Sequence, residues 1–208
     1  MNPASTTLTL RAPVAPHPNV GTAHAALWHH VADAPAVLSR LLAAQSTKDG
    51  AAPDPILKNV VLLNADALLS PRVLEAAVLR AMTNVRSGIA KTRTLGAEVM
   101  YALAPSTNIR DAMATFGVTK DTSRVVALHL VLAPSSEPET SDAAPSTAAI
   151  DAALDRLFGK GPVRADWTTL GSTADAAKLA EMHALDPRTM RADLERDLIE
   201  AVALKGYL

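Results

Sequence analysis

The sequence predicts a single α/β (α+β) domain, a small central mixed β-sheet packed with several α-helices. Two observations lead there. Apolar runs of strand length are separated by segments with helical apolar spacing. The hydrophobic share is 49% but the aromatic share only 3%, so the core must be built from Ala, Val and Leu, small enough to let helices lie close on a sheet. A chain of 208 residues suffices for one such core, and the domain is expected to span 1–208.

Residues 7–11 (TLTLR) alternate like a short strand, which Pro13, Pro16 and Pro18 break. In 24–31, Leu27, His29 and Val31 alternate with Ala26, Trp28 and His30, as on a strand. Asp33 then caps a helix over about 34–44, and 45–55 is loop by composition. The run Val60 to Leu63 suits a strand buried on both faces, and Ser70-Pro71 opens a helix with a cap and a first-turn proline. Its core stripe is Val73, Leu74, Ala77, Val78, Ala81 and Val85.

In 91–117 two short helices meet at a polar elbow. Asn108 starts the second, Ile109, Ala112, Met113 and Phe116 line one face, and Gly117 ends it. A turn at 120–123 precedes a central strand over 125–132. The segment 133–147, with three prolines, four serines, three acids and no Lys or Arg, reads as a disordered acidic insertion. Beyond it a helix runs over 147–158 to Gly159, followed by a strand at 163–170 and helices near 173–184 and 187–205.

Several function classes are disfavoured. With no cysteine there is no disulfide framework, thiolate metal site or cysteine nucleophile. No basic segment precedes an apolar run at the N-terminus, and no stretch of roughly 18 apolar residues occurs, so neither export nor membrane insertion is expected. None of the six histidines pairs at i, i+4, and His29 and His30 should face opposite sides of a strand, so no metal site is expected. His129 reads as a hydrogen-bonded histidine in a buried strand. No phosphate loop, dinucleotide fingerprint or nucleophile elbow is present, and no cofactor is implied. Asp66, Glu98 and Asp111 are explained by helix capping and solvated faces without an acid/base pair.

The charge distribution is more telling. The net charge is -1, yet over 72–93 Arg72, Arg80, Arg86, Lys91 and Arg93 are opposed only by Glu75. Basic side chains, small residues and a helix N-terminus converge at 86–94, which suits phosphate contacts, though a solvated helix face and turn would give the same pattern. On the preceding helix Leu79 lies far from the core stripe and Met82 at its margin, so the two could centre a docking face rimmed by charge.

One family resemblance is carried by Asn64-Ala65, Ser70-Pro71, Lys91-Thr92-Arg93-Thr94-Leu95, Glu98, Tyr101-Ala102-Leu103-Ala104-Pro105, Asn108-Ile109, Ala112, Phe116-Gly117 and Asp121-Thr122. These motifs resemble the kinase-binding subunit of the KEOPS (EKC) complex, the TPRKB family of PRPK-binding proteins. The likeness covers about 22–132, and Leu198 to Lys205 is similar to the family's last helix. The proline-rich start and the 133–147 segment depart from the compact family pattern, and the second suggests a eukaryotic, fungal type.

The resemblance implies a protein that is not an enzyme. Its partner would be the complex's small atypical kinase/ATPase, with indirect contact to the other subunits. It would help hold the 3′ CCA end of tRNA while threonylcarbamoyl is installed on the adenosine beside the anticodon. Nuclear and cytoplasmic location, and the complex's telomere and transcription roles, are implied with it. Lys91 and Arg93 are then the expected RNA phosphate contacts, with Arg86 and Arg72 as outer support, and Leu79 and Met82 the expected kinase contacts. A protein-binding scaffold without RNA, or a small hydrolase or transferase with an unconventional site, are the alternatives.

Overall fold

The computed structural model describes residues 5–11, 19–46, 52–133 and 145–205. The expected acidic insertion lies outside the described residues except at its two ends. The strands are β1 (Ser5–Arg11), β2 (Asn19–His29), β3 (Val60–Asn64), β4 (Val125–Leu132) and β5 (Val163–Ala165). The helices are α1 (Ala34–Gln45), α2 (Pro71–Arg86), α3 (Leu95–Leu103), α4 (Ile109–Phe116), α5 (Thr147–Phe158), α6 (Ala176–Met182) and α7 (Arg191–Leu204).

The expected α/β architecture is found, with the sheet ordered β1-β2-β4-β3 and β5 also paired to β2. Among the described residues every strand pairing is antiparallel, which corrects the expected mixed sheet. The connections explain this. Asn64, the last residue of β3, faces Val125, the first of β4, so α2, α3 and α4 bring the chain back to the end of the sheet it left.

Helices cover both faces. One face, with Ala23, Ala25, Leu27, Val126 and Leu128, packs against α2, α3 and the C-terminal helices. The other, with Ala26, Trp28, Val125 and Ala127, packs against α1 and α5. Being covered twice, β4 is apolar at every position but His129. The small side chains of β2 let Ala77 and Ala81 of α2 lie fully buried above it.

Caps fix the helix starts. Asp33 accepts from the Ala36 amide, Ser70 from Val73, Asn108 from Arg110 and Ser146 from Ala149. Lys205, just beyond α7, caps the end of α3 from a distance, since its Nζ donates to the carbonyls of Tyr101, Ala104 and Ser106.

Three local expectations change. The strand at 163–170 stops at Ala165, because Asp166 accepts from the Thr168 amide and hydroxyl and folds Trp167–Thr169 into a 3-10 turn. His30 does not continue β2: its φ is 60, and its ring stands edge-on to that of His29 with centroids 6.2 Å apart. His129 is buried opposite His24, yet its Nε2 has no hydrogen-bond partner among the described residues. Burial and then neighbouring His24 lower its pKa to about 4.

Candidate nucleic-acid interface and adjoining groove

The basic loop is held at three points. At its start, the C-terminus of α2 is closed by the Ser87, Gly88 and Ile89 amides donating to Thr83, Val85 and Asn84 carbonyls. At its end, Thr94 caps α3 by accepting from the Ala97 amide at 3.2 Å. Between them lies Glu98. One carboxylate oxygen accepts from the Lys91 amide at 3.0 Å, the Thr92 amide at 3.0 Å and the Thr92 hydroxyl at 2.8 Å. The other accepts from Asn84 Nδ2 at 3.0 Å.

Glu98 is fully buried, which corrects its reading as a capping or solvated acid. A first-turn acid on a short helix looks the same in sequence whether it faces water or the interior. With the Lys91 and Thr92 amides turned inward to Glu98, the side chains of Lys91 and Arg93 stand exposed. Those two amides are thus already engaged, and the positive charge this loop offers a ligand is on side chains.

The four basic residues singled out from sequence are not all brought together. Arg86 lies at the same end of α2 as the loop and donates to the Ala133 carbonyl at 2.8 Å, tying the end of β4 to α2. Arg72 lies at the other end of α2, about 20 Å away at 1.5 Å per residue, where it is 3.7 Å from Glu195 of α7. It is too far to support the loop.

Neither apolar residue forms an exposed docking centre. Met82 is wholly buried, a correction that follows from α2 being enclosed by the sheet, α3 and α7, so that its buried surface exceeds one stripe. Leu79 is half-buried and packed against the same core.

A groove of about 520 Å³ adjoins the loop. Its walls are the α1 residues Leu38 and Leu42, the start of β3, the end of β4, and Thr94 to Ala97 of the cap and first turn of α3. Gly96 allows this closeness, since a Cβ there would stand 2.8 Å from Val61 Cβ. Leu42 and Met113 are exposed at the groove, and Lys58 contributes a cation to its lining. No sequence motif points to this groove, because α1, β3, β4 and α3 meet only in the fold.

Among the described residues no group of three or more metal-ligating side chains occurs, and no helix is long and apolar enough to cross a membrane. Asp66 pairs with Arg124, and Asp111 accepts from Ser106, so those acids have local partners.

Comparison with known proteins agrees with the motifs. Residues 28–206 match the family described as Kinase binding protein CGI-121. The chain is 27% identical over 205 residues to the EKC/KEOPS complex subunit cgi121 of Aspergillus fumigatus, covering 96% of this chain and 98% of that protein. It is 27% identical over 145 residues to the subunit of that name from Schizosaccharomyces pombe, covering 70% and 76%. With the Yarrowia lipolytica subunit it shares 38% identity over 71 residues, 34% of this chain and 42% of that one. A match over most of its length, together with the fold and the motifs above, assigns this chain to the CGI-121 kinase-binding protein family.

Proposed function

We propose that this chain is a non-catalytic accessory subunit of a KEOPS/EKC complex, which binds the complex's small atypical kinase/ATPase and helps hold tRNA by its 3′ CCA end. The complex then modifies the adenosine beside the anticodon. The observation that carries the protein-partner half is the family match over residues 28–206. The RNA half is supported by the exposed Lys91 and Arg93 on a pinned loop, with the groove beside it. Unpaired nucleotides need a site for phosphate charge and an apolar site for the flat base, and the two adjoin here.

Met82, being wholly buried, drops out of the expected kinase face, and half-buried Leu79 remains its expected contact on α2. A role in both nucleus and cytoplasm is part of the same proposal, since the complex would act on tRNA in either. The test is co-expression with the cognate kinase, followed by tRNA binding. The two proteins should co-elute on size exclusion, and removing CCA should weaken tRNA binding by about tenfold, with a steep salt dependence. Separate elution would sink the kinase half. Equal affinity for intact and truncated tRNA would leave a protein scaffold only.

A further inference from the structure

We infer that Glu98, oriented by Asn84, is the positioning residue of the basic loop, and that it sets the geometry in which Lys91 and Arg93 meet an anionic, single-stranded ligand. The inference rests on the RNA reading above and goes beyond it by naming what makes the loop a site.

A carboxylate with no exposed surface is costly to bury, and an apolar side chain of similar volume generally stabilises as well or better. Its presence therefore asks for another explanation. Among the described residues Glu98 makes no ion pair within 4.0 Å, and Lys205 acts on it only as a more distant charge, so a direct salt bridge is not that explanation. All three donors on one of its oxygens belong to Lys91 and Thr92. Its other oxygen takes Asn84 Nδ2, from the last turn of α2. The side chain thus joins the helix before the loop to the loop itself, from a position on the helix after it.

Asn84 supplies an independent indication. It is 7% exposed, and its Oδ1 has no hydrogen-bond partner among the described residues. A buried amide with one half unused is retained at a cost, and the half in use is the one that orients Glu98. Pinning the two amides inward leaves the neighbouring side chains, Lys91 and Arg93, directed to solvent with little freedom in the backbone that carries them. A preorganised pair of cations loses less entropy on binding phosphate than the same pair on a slack loop.

The unused Oδ1 also provides the control. In Glu98→Gln the glutamine oxygen can accept from the loop donors, while its amide nitrogen can donate to Oδ1 of a flipped Asn84. That variant keeps every connection and loses only the charge. Glu98→Leu keeps the volume and loses the connections. Thr92→Val removes the hydroxyl, which donates to Glu98 at 2.8 Å and to the Thr94 carbonyl at 3.1 Å, from the half-buried loop side without touching the core.

The experiment uses the full chain bound to its kinase, with tRNA as the probe. Glu98→Leu should weaken tRNA binding about tenfold and reduce the salt slope by about 0.7, the value for one lost single-strand phosphate contact. Thr92→Val should move both in the same direction by less, while Glu98→Gln stays within about twofold of wild type. Kinase co-elution should be unchanged in all three. If charge reversal at Lys91 and Arg93 abolishes binding while Glu98→Leu and Thr92→Val bind like wild type, the positioning role is wrong and the RNA reading stands. If charge reversal itself has no effect, the RNA reading fails first. Should Glu98→Leu not fold, Thr92→Val decides: wild-type affinity and slope there would overturn the inference.

Discussion

Gly171→Ala is expected to destabilise the fold by about 3 kcal/mol or more, enough to remove much of the stability of a typical domain. Gly171 has φ +88, and a Cβ there would stand 1.9 Å from the Leu69 carbonyl oxygen, a backbone atom that cannot step aside. Arg191 donates to that oxygen at 2.7 Å and to the Gly171 carbonyl at 2.5 Å. One guanidinium therefore joins the segment before α2, the turn before α6 and the start of α7. Displacing the Leu69 carbonyl would disturb all three. Gly88 is the control, with φ +69 but open space where a Cβ would sit, nothing lying within 4 Å, so Gly88→Ala should cost only about 1–2 kcal/mol. Urea unfolding of the two variants checks the contrast, and equal losses would mean that backbone conformation alone, not the Leu69 contact, makes glycine necessary.

Acid should unfold the protein earlier than its carboxylates alone would require. Burial, followed by the Coulomb effect of His24, lowers His129 to about 4. Burial, followed by Lys205, lowers His183 to about 4, opposed by a hydrogen bond that its ring donates to the Leu103 carbonyl. Both values lie below the ordinary 6.5, so between pH 6.5 and 4 the unfolded chain binds more protons than the native one. The stability associated with these neutral imidazoles is complete above 6.5 and is lost as pH falls through about 4. For His129, which is 2% exposed, the contribution is on the order of 3 kcal/mol. His129→Leu removes the proton-binding group and a buried nitrogen without a partner, so it should flatten the loss between pH 6.5 and 4 while leaving neutral stability equal or higher. A thermal midpoint series across that range reads it directly. An unchanged slope in the variant would show that His129 titrates normally.

The parts of the fold visible in sequence are those whose signal is local. Asp33, Ser70, Asn108 and Ser146 mark helix starts through side chains that bond an amide two or three residues on. The β4 run is apolar because both of its faces are covered. What escaped depends on neighbours distant in sequence. Strand direction is decided by where connections return the chain, and Met82 is buried by elements that no periodicity within α2 describes. Asp166 shows the converse error: VRADWTTL has strand composition, but one Asx turn ends the strand at Ala165. In the candidate site, Lys91 and Arg93 were legible as charge on a neutral chain. Glu98 was visible only as a helix acid, since its partners across the loop are not separable from solvent by spacing. The groove was not legible at all.

The proposed RNA role turns on Lys91 and Arg93. Their most direct test is the tRNA affinity of Lys91→Glu/Arg93→Glu in complex with the kinase, measured across a salt series. The account predicts intact co-elution, binding weakened by roughly a hundredfold and a salt slope reduced by about 1.4, about 0.7 for each lost single-strand phosphate contact. Wild-type affinity and slope in a variant that still co-elutes with the kinase would contradict it.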